Sequence, residues 1–132
     1  IPHEHLMGLH ISCDCFVMPR RGEAWSLPAM DALGFGNTPI VTANTGMEDF
    51  VDNTNGYVVP SYKTPCFAAN DTIKDLYTGE QYWYEIDVAE LGNTMRFVYD
   101  NRLAPKKDKG INDVYKYSYR KIGQKMLEVL TQ

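Results

Sequence analysis

The sequence predicts an α/β domain built on a mostly parallel sheet. Short apolar runs alternate with segments of helical periodicity in the first half of the chain, which is the order that produces βα units. Ligands of such sheets bind beyond the carboxyl ends of the strands. A chain of 132 residues, 44% of them hydrophobic and 23% charged, is long enough for one domain with a substantial core.

The chain begins with a predicted short helix over residues 2–10, followed by a predicted strand over residues 11–17. In the helix, Leu6, Met7 and Leu9 form one apolar face. The strand is a mostly apolar run, which is typical of a strand buried in a parallel sheet. This pair supplies the first of the predicted units.

Residues 20–41 are predicted to form the centre of the fold. They read as a polar loop followed by a helix and a second strand. Glu23 lies in the loop, Ser26 can cap the helix, and Pro28 suits its first turn. Asp31 falls in the first or second turn, so two carboxylates stand eight positions apart.

Glycines indicate where this helix ends. Gly34 and Gly36 end the helix, and residues 39–43 form the next predicted strand. Thr45 and Gly46 then form a second loop, which is expected at the same edge of the sheet as the first.

The predicted start of the central helix suits a ligand that carries both phosphate and hydroxyl groups. Free backbone N–H groups and the positive end of the helix dipole favour an anion such as a phosphate. The carboxylates of Glu23 and Asp31 can accept hydrogen bonds from hydroxyl groups.

The second half of the chain is less regular. Residues 61–81 are predicted to be a long loop, and the adjacent aromatic cluster of Tyr82, Trp83 and Tyr84 is expected to pack rather than to bind sugar. Residues 106–110, rich in lysine, are expected to be a solvated linker between two helices. The apolar residues of these helices are Val88, Leu91, Met95, Val98 and Tyr99 in the first, and Tyr115, Tyr119, Ile122, Met126 and Leu130 in the second.

Histidines and cysteines are frequent near the start, at His3, His5, His10, Cys13 and Cys15. Imidazole and thiolate are the usual zinc ligands, but this spacing matches no standard zinc motif. We therefore predict no metal site, with both cysteines buried beside the strand and the histidines on the helix surface. The chain has three cysteines without the pattern of a small secreted domain, which indicates reduced thiols.

Charge and hydropathy exclude several classes of protein. Thirteen basic and 17 acidic residues give a net charge of −4, which argues against a nucleic-acid-binding surface. No apolar run approaches the roughly 20 residues of a transmembrane helix, and the start lacks a signal sequence. We expect a soluble, cytoplasmic protein.

The segment GEAWSLPAMDALGFGNTPIV resembles the signature of the retaining GT-B glycosyltransferases of family four, also called glycosyl transferases group 1. That signature is Glu-Gly-Phe/Trp-Gly-Leu-Pro with a second Glu eight positions after the first. The flanking segments DCFVMP, TGMEDFV and NGYVV resemble the family in the same order, so the similarity is close over residues 3–60. It implies a Rossmann-like three-layer α/β/α fold.

The resemblance also implies roles for six residues. Glu23 would contact the transferred sugar as the catalytic residue, and Asp31, where the family has Glu, would bind the ribose. The backbone N–H groups expected to approach the sugar and phosphate belong to Ala24, Trp25, Ser26 and Leu27. Ser26 replaces a frequent glycine of the family.

In that family a two-domain enzyme transfers a sugar from a nucleoside diphosphate donor to an acceptor, often without a metal or other cofactor. The chain starts at Ile1, not Met, so residues 1–132 are expected to be part of the C-terminal nucleotide-sugar-binding domain, without the N-terminal acceptor domain. Such a part is expected to be inactive alone and to form a homo-oligomer through its uncovered surfaces. Two alternatives stay open: a non-catalytic α/β binding domain on the same scaffold, and a small metal-binding module.

Overall fold

The computed structural model describes residues 2–66, 77, 79–101 and 107–131. The helices and strands of this part follow in the order α1 (His3–Ser12), β1 (Cys15–Met18), α2 (Leu27–Gly34), β2 (Thr38–Thr42), β3 (Tyr57–Val59), β4 (Ser61–Pro65), β5 (Tyr82–Ile86), α3 (Val88–Asn101), α4 (Lys107–Tyr115) and α5 (Tyr119–Leu130). A short 3-10 helix, Gly46–Asp49, lies between β2 and β3.

Strands β1, β2 and β3 form a parallel sheet in that order, with β2 in the centre. Val17 of β1 lies opposite Ile40, and Ile40 lies opposite Tyr57 of β3. All five residues of β2 are buried, as expected of a central strand covered on both faces. The predicted parallel α/β sheet is confirmed.

Helices cover both faces of this sheet and give the three-layer arrangement. Val41 faces a core shared with Ala29 and Leu33 of α2, whereas the adjacent Ile40 faces a second core that includes Val98 of α3. Successive residues of a strand point to opposite faces, so β2 contributes to both cores. The Rossmann-like α/β/α class predicted from the family resemblance is confirmed.

Helix α4 contradicts the prediction that residues 106–110 are a linker. The helix begins at Lys107 and packs on α2, and residue 106 lies outside the described residues. Gly110 is buried there, and an added Cβ would lie 2.8 Å from Cδ2 of Leu33. Gly110 therefore permits a close helix contact, which local composition could not reveal.

The predicted strand over residues 11–17 is wrong at its start, because Ile11 and Ser12 complete α1. The Ser12 hydroxyl donates to the Leu9 carbonyl over 3.0 Å, and β1 includes only the residues that pair with β2. The side chains predicted to form an apolar face on α1 are exposed, by 38% for Met7 and 54% for Leu9. The buried residue of α1 is His10, which the sequence placed on the surface.

The predicted long loop over residues 61–81 is also partly wrong. Strand β4 pairs antiparallel with β5, with Lys63 opposite Tyr84, so the aromatic cluster at residues 82–84 is part of a hairpin. Residues 67–76 and 78 of the predicted loop lie outside the described residues. The hairpin forms a second sheet, separate from the parallel one.

The predicted C-terminal helical pattern divides into two helices. Tyr115 ends α4, and Ser118 caps α5 by accepting a hydrogen bond from the Lys121 N–H over 3.4 Å. No residue of α5 is buried, and Leu130 is 79% exposed. Within the parts of the chain that the structure describes, no helix has the length and apolarity of a membrane-spanning segment.

Candidate functional site

Two loops meet at the carboxyl edge of the parallel sheet. The loop after β1 carries Glu23, and the loop after β2 carries Gly46, whose N–H donates to the Glu23 carbonyl over 2.9 Å. A Cβ on Gly46 would lie 1.8 Å from the Ala24 carbonyl oxygen, so only glycine permits this approach. The expected position of both loops at one edge is confirmed.

Ser26 caps α2, as the sequence predicts. Its carbonyl accepts hydrogen bonds from Ala29 and Met30, both over 3.1 Å, and its Oγ accepts from the Ala29 N–H over 3.4 Å. Pro28, the second residue of the helix, has no N–H to leave unpaired. Gly36 follows the helix end with a φ of 82°, where glycine is favoured.

The backbone of Ser26 explains the glycine that the resembled family frequently has at this position. Its φ is 59° and its ψ 78°, in the left-handed region. A residue with a Cβ adopts that region at a cost of about 1 kcal/mol or more, whereas glycine does not. Ser26 therefore combines a favourable cap with an unfavourable backbone conformation.

Ser26→Gly is expected to change the free energy of unfolding little. Glycine adopts the left-handed backbone conformation without cost, and this gain offsets the loss of the hydroxyl cap. Ser118 is the matched control, since it caps α5 with an ordinary φ of −60°. We expect Ser26→Gly to be at least about 1 kcal/mol more favourable than Ser118→Gly in the free energy of unfolding, measured with urea. Equal effects of the two changes would contradict this explanation.

The start of α2 presents unpaired donors at the sheet edge. The backbone N–H groups of Trp25, Ser26 and Leu27 have no hydrogen-bond partner among the described residues. The positive end of the α2 dipole lies at the same place. This arrangement can bind a phosphate without any side-chain cation.

The two predicted carboxylates lie on either side of these donors in the sequence. Glu23 is partly buried, and its Oε1 accepts a hydrogen bond from the Ala24 N–H over 3.1 Å. Asp31 is the fifth residue of α2 and is exposed. Both can accept hydrogen bonds from ligand hydroxyls, and their assignment to a sugar and a ribose stays a prediction.

The Trp25 side chain packs within the protein. Its ring centroid lies 5.1 Å from that of Phe50 and 5.0 Å from that of Tyr117. The Tyr117 hydroxyl donates to the Asp49 carbonyl over 2.6 Å. These contacts support the site loop from the 3-10 helix and from the α4–α5 connection. Sequence reasoning missed them because the partners are far apart in the chain.

A second supporting contact missed by sequence reasoning centres on Asp113 of α4. Asp113 accepts hydrogen bonds from Lys116 over 2.5 Å, from Lys109 over 2.6 Å and from Asn55 over 2.9 Å. Asn55 is buried and also donates to the Phe50 carbonyl. Burial alone would raise the Asp113 pKa, but these hydrogen bonds outweigh it and lower the pKa to about 2.

The cysteines and histidines do not form a cluster. Cys13 is exposed and Cys15 partly buried, so the expectation that both are buried is wrong for Cys13. Burial raises the pKa of the Cys15 thiol. His10 is buried against Phe35, with ring centroids 5.4 Å apart. Among the residues described, no three His, Cys, Asp or Glu side chains are placed to hold a metal ion.

Comparison with known proteins shows the family and the fold of the chain. Residues 1–86 match the family model of glycosyl transferases group 1. The structure is similar to that of sucrose-phosphate synthase from Thermosynechococcus elongatus, with a TM-score of 0.68 and 18% sequence identity. The similarity covers 100% of this chain and 28% of that one, so this chain spans under a third of the other's length. No curated protein sequence gives a significant match. The chain belongs to the glycosyl transferases group 1 family.

Proposed function

We propose that this chain is the nucleotide-sugar-binding part of a glycosyltransferase that transfers a hexosyl group with retention. The observation that carries the proposal is the loop at the sheet edge. There the Glu23 carboxylate precedes three N–H groups at the start of α2 that have no hydrogen-bond partner among the described residues. Family membership supports a sugar donor and an acceptor as substrates. In the proposed enzyme, residues 1–132 belong to the C-terminal domain and the acceptor domain lies elsewhere in the protein.

The donor diphosphate binds at the N–H groups of Trp25, Ser26 and Leu27 in this proposal. As the bond from the anomeric carbon to the diphosphate breaks, negative charge develops on the leaving oxygen. Fixed N–H donors and the α2 dipole stabilise that charge without reorganising, which lowers the barrier. The proposed chemistry uses no metal or cofactor besides the donor.

The transferred sugar lies against Glu23, and the ribose lies against Asp31. The Glu23 carboxylate accepts hydrogen bonds from sugar hydroxyls and stands close to the positive charge of an oxocarbenium-like transition state. Asp31 accepts hydrogen bonds from the two vicinal ribose hydroxyls. Its side chain is one methylene shorter than the Glu of the family, so Asp31→Glu is expected to keep nucleotide binding.

Two kinds of ligand separate these roles in calorimetric titrations: free nucleoside diphosphates and the corresponding nucleotide sugars. Asp31→Asn is expected to lower the affinity for both types of ligand about tenfold, because both contain the ribose. Glu23→Gln is expected to lower only the affinity for nucleotide sugars, by a similar factor, because a free nucleoside diphosphate lacks the sugar that Glu23 contacts. Asp31→Glu should retain more affinity than Asp31→Asn.

Glu128→Gln on the exposed helix α5 is the matched control for Glu23→Gln and should change neither affinity. Equal weakening of the free diphosphate by Glu23→Gln would contradict its assignment to the sugar. Unchanged nucleotide affinity in Asp31→Asn would contradict the assignment of Asp31 to the ribose, and its carboxylate would then serve only to complement the positive end of the α2 dipole. A chain that binds no nucleotide at this loop would favour the non-catalytic alternative.

The expected homo-oligomer also remains a prediction. Strand β1 is an edge of the described sheet, and Val129 and Leu130 on α5 are 72% and 79% exposed. Unpaired edges and exposed apolar side chains both favour self-association.

A further inference from the structure

The β4–β5 hairpin contacts both loops of the proposed donor site. It forms a sheet of its own, separate from the parallel sheet that carries the two loops. Strand β5 contacts the loop after β1, and strand β4 contacts the loop after β2. The two contacts lie at the same end of the hairpin, because Ser61 of β4 is paired with Ile86, the neighbour of Glu85 in β5.

Arg21 joins the loop after β1 to β5 through both its backbone and its side chain. Its carbonyl accepts a hydrogen bond from the Tyr84 N–H over 2.8 Å. Its guanidinium donates two hydrogen bonds to the Glu85 carboxylate, over 2.7 and 3.1 Å, and lies 4.5 Å from the centroid of the Trp83 ring. Two hydrogen bonds between one guanidinium and one carboxylate fix orientation as well as distance. Arg21 stands two positions before Glu23, so these contacts restrict where Glu23 lies.

Ser61, the first residue of β4, joins the hairpin to the loop after β2. Its hydroxyl donates to the Ala43 carbonyl over 2.8 Å and accepts a hydrogen bond from Nδ2 of Asn44 over 3.1 Å. Asn44 has a φ of 61°, in the left-handed region that is costly for a residue with a Cβ, and its bond to Ser61 stabilises this turn. Two positions later, the Gly46 N–H donates to the Glu23 carbonyl. The hairpin therefore contacts the loops of both partners in that hydrogen bond.

Other elements hold the part of the loop that follows Glu23. The Trp25 ring packs against Phe50 and Tyr117, and the Ser26 carbonyl accepts the first hydrogen bonds of α2. None of these contacts involves the hairpin. Loss of a contact between the hairpin and the loop should therefore displace Glu23 more than the N–H groups at the start of α2.

We propose that Arg21 and Glu85 are positioning residues of the donor site, whose ion pair holds Glu23 where its carboxylate meets the transferred sugar. The inference rests on the proposed function, because it names the residues that support the role of Glu23 there. Neither member of the pair contacts the donor. The Arg21 guanidinium is already bonded to Glu85, so it acts through the position of the loop and not as a ligand of the diphosphate.

Calorimetric titration with UDP-glucose, GDP-mannose and ADP-glucose, and with their free nucleoside diphosphates, tests the pair. Arg21→Gln and Glu85→Gln should each lower the affinity for the nucleotide sugar that binds about threefold, since a partly exposed ion pair contributes modestly. Neither change should alter the affinity for the nucleoside diphosphate. A weaker nucleoside diphosphate in Arg21→Gln, or a tighter one in Glu85→Gln, would show that the guanidinium binds phosphate directly and would overturn the proposal.

A double-mutant cycle shows whether the pair acts through Glu23. In a Glu23→Gln protein, Arg21→Gln should lower the affinity for the nucleotide sugar no further, because the carboxylate that it positions is absent. A second, independent loss would contradict the proposal. Arg96→Gln on α3 is the matched control and should change no affinity, since Arg96 also pairs with a carboxylate, that of Asp100, and lies 5.5 Å from the centroid of the Tyr99 ring.

Hydrogen exchange of the Gly46 N–H, measured by nuclear magnetic resonance, tests the contact without a ligand. This group is bonded to the Glu23 carbonyl, so Arg21→Gln and Glu85→Gln should each make it exchange about threefold faster or more, whereas Arg96→Gln should not. Unchanged exchange would overturn the proposal.

The two measurements together distinguish this proposal from the proposed function. If wild type binds a nucleotide sugar and Glu23→Gln weakens it, while Arg21→Gln and Glu85→Gln leave it unchanged, the positioning proposal alone is wrong. If the exchange of Gly46 responds to both changes but wild type binds no nucleotide sugar, the proposed function is wrong. The pair then holds the loop but positions nothing for a donor.

Discussion

Gly46→Ala is expected to abolish donor binding and to lower the free energy of unfolding by about 3 kcal/mol. The new Cβ would lie 1.8 Å from the Ala24 carbonyl oxygen and 3.2 Å from that of Glu23. These are backbone atoms, so no side-chain rotation can relieve the overlap. The loop must move, which breaks the hydrogen bond from Gly46 to Glu23 and displaces the Glu23 carboxylate. Urea unfolding and nucleotide titration measure the two effects.

Gly92→Ala in α3 is the matched control. A Cβ on Gly92 has no atom within 4 Å, and the position is an exposed helix interior. The same substitution should there stabilise the protein by up to about 1 kcal/mol. A Gly46→Ala protein with normal stability and normal donor binding would show that the two loops do not meet as described.

Asp113→Asn is expected to lower the free energy of unfolding by about 2 kcal/mol at neutral pH. A pKa lowered from 3.8 to about 2 corresponds to a stabilisation of that size. The asparagine keeps the shape but loses the charge that attracts Lys109 and Lys116. Asp108→Asn, at an exposed position on the same helix, should change the stability little.

The stabilisation by Asp113 should depend on pH in a defined direction. Because the folded pKa lies below the unfolded value, the contribution is fully present above about pH 5 and is lost as the pH falls through 4 towards 2. The difference in free energy of unfolding between wild type and Asp113→Asn, measured by chemical unfolding, should therefore become smaller as the pH is lowered from 7 to 3. A constant difference would mean that the carboxylate charge does not stabilise the fold.

Local chemistry explains what the sequence could predict. The N-cap Ser26, the early Pro28 and the left-handed Gly36 define α2 from neighbouring residues alone, and the buried run of β2 needs no distant information. These elements are also the ones that place Glu23 and the unpaired N–H groups. The architecture of the proposed donor site was therefore predictable from the sequence, although the roles of its residues remain proposals.

The errors concern features that depend on tertiary contacts. Helix α4 resembles a linker in composition, yet Gly110 is required by the approach to Leu33. Asp113 and Asn55 are 58 positions apart, so their hydrogen bond leaves no local signal. The hairpin was missed because residues 66–81 separate its two strands in the sequence, so their pairing leaves no local signal. The positive φ of Ser26 could not be predicted, because serine ordinarily caps helices at negative φ.

A crystal structure of the chain bound to a nucleotide sugar tests the central claim most directly. The account predicts diphosphate oxygens within about 3 Å of the N–H groups of Ser26 and Leu27, a hydroxyl of the donor sugar bonded to Glu23, and the ribose hydroxyls bonded to Asp31. A nucleotide bound elsewhere, with the start of α2 free of phosphate, would contradict it.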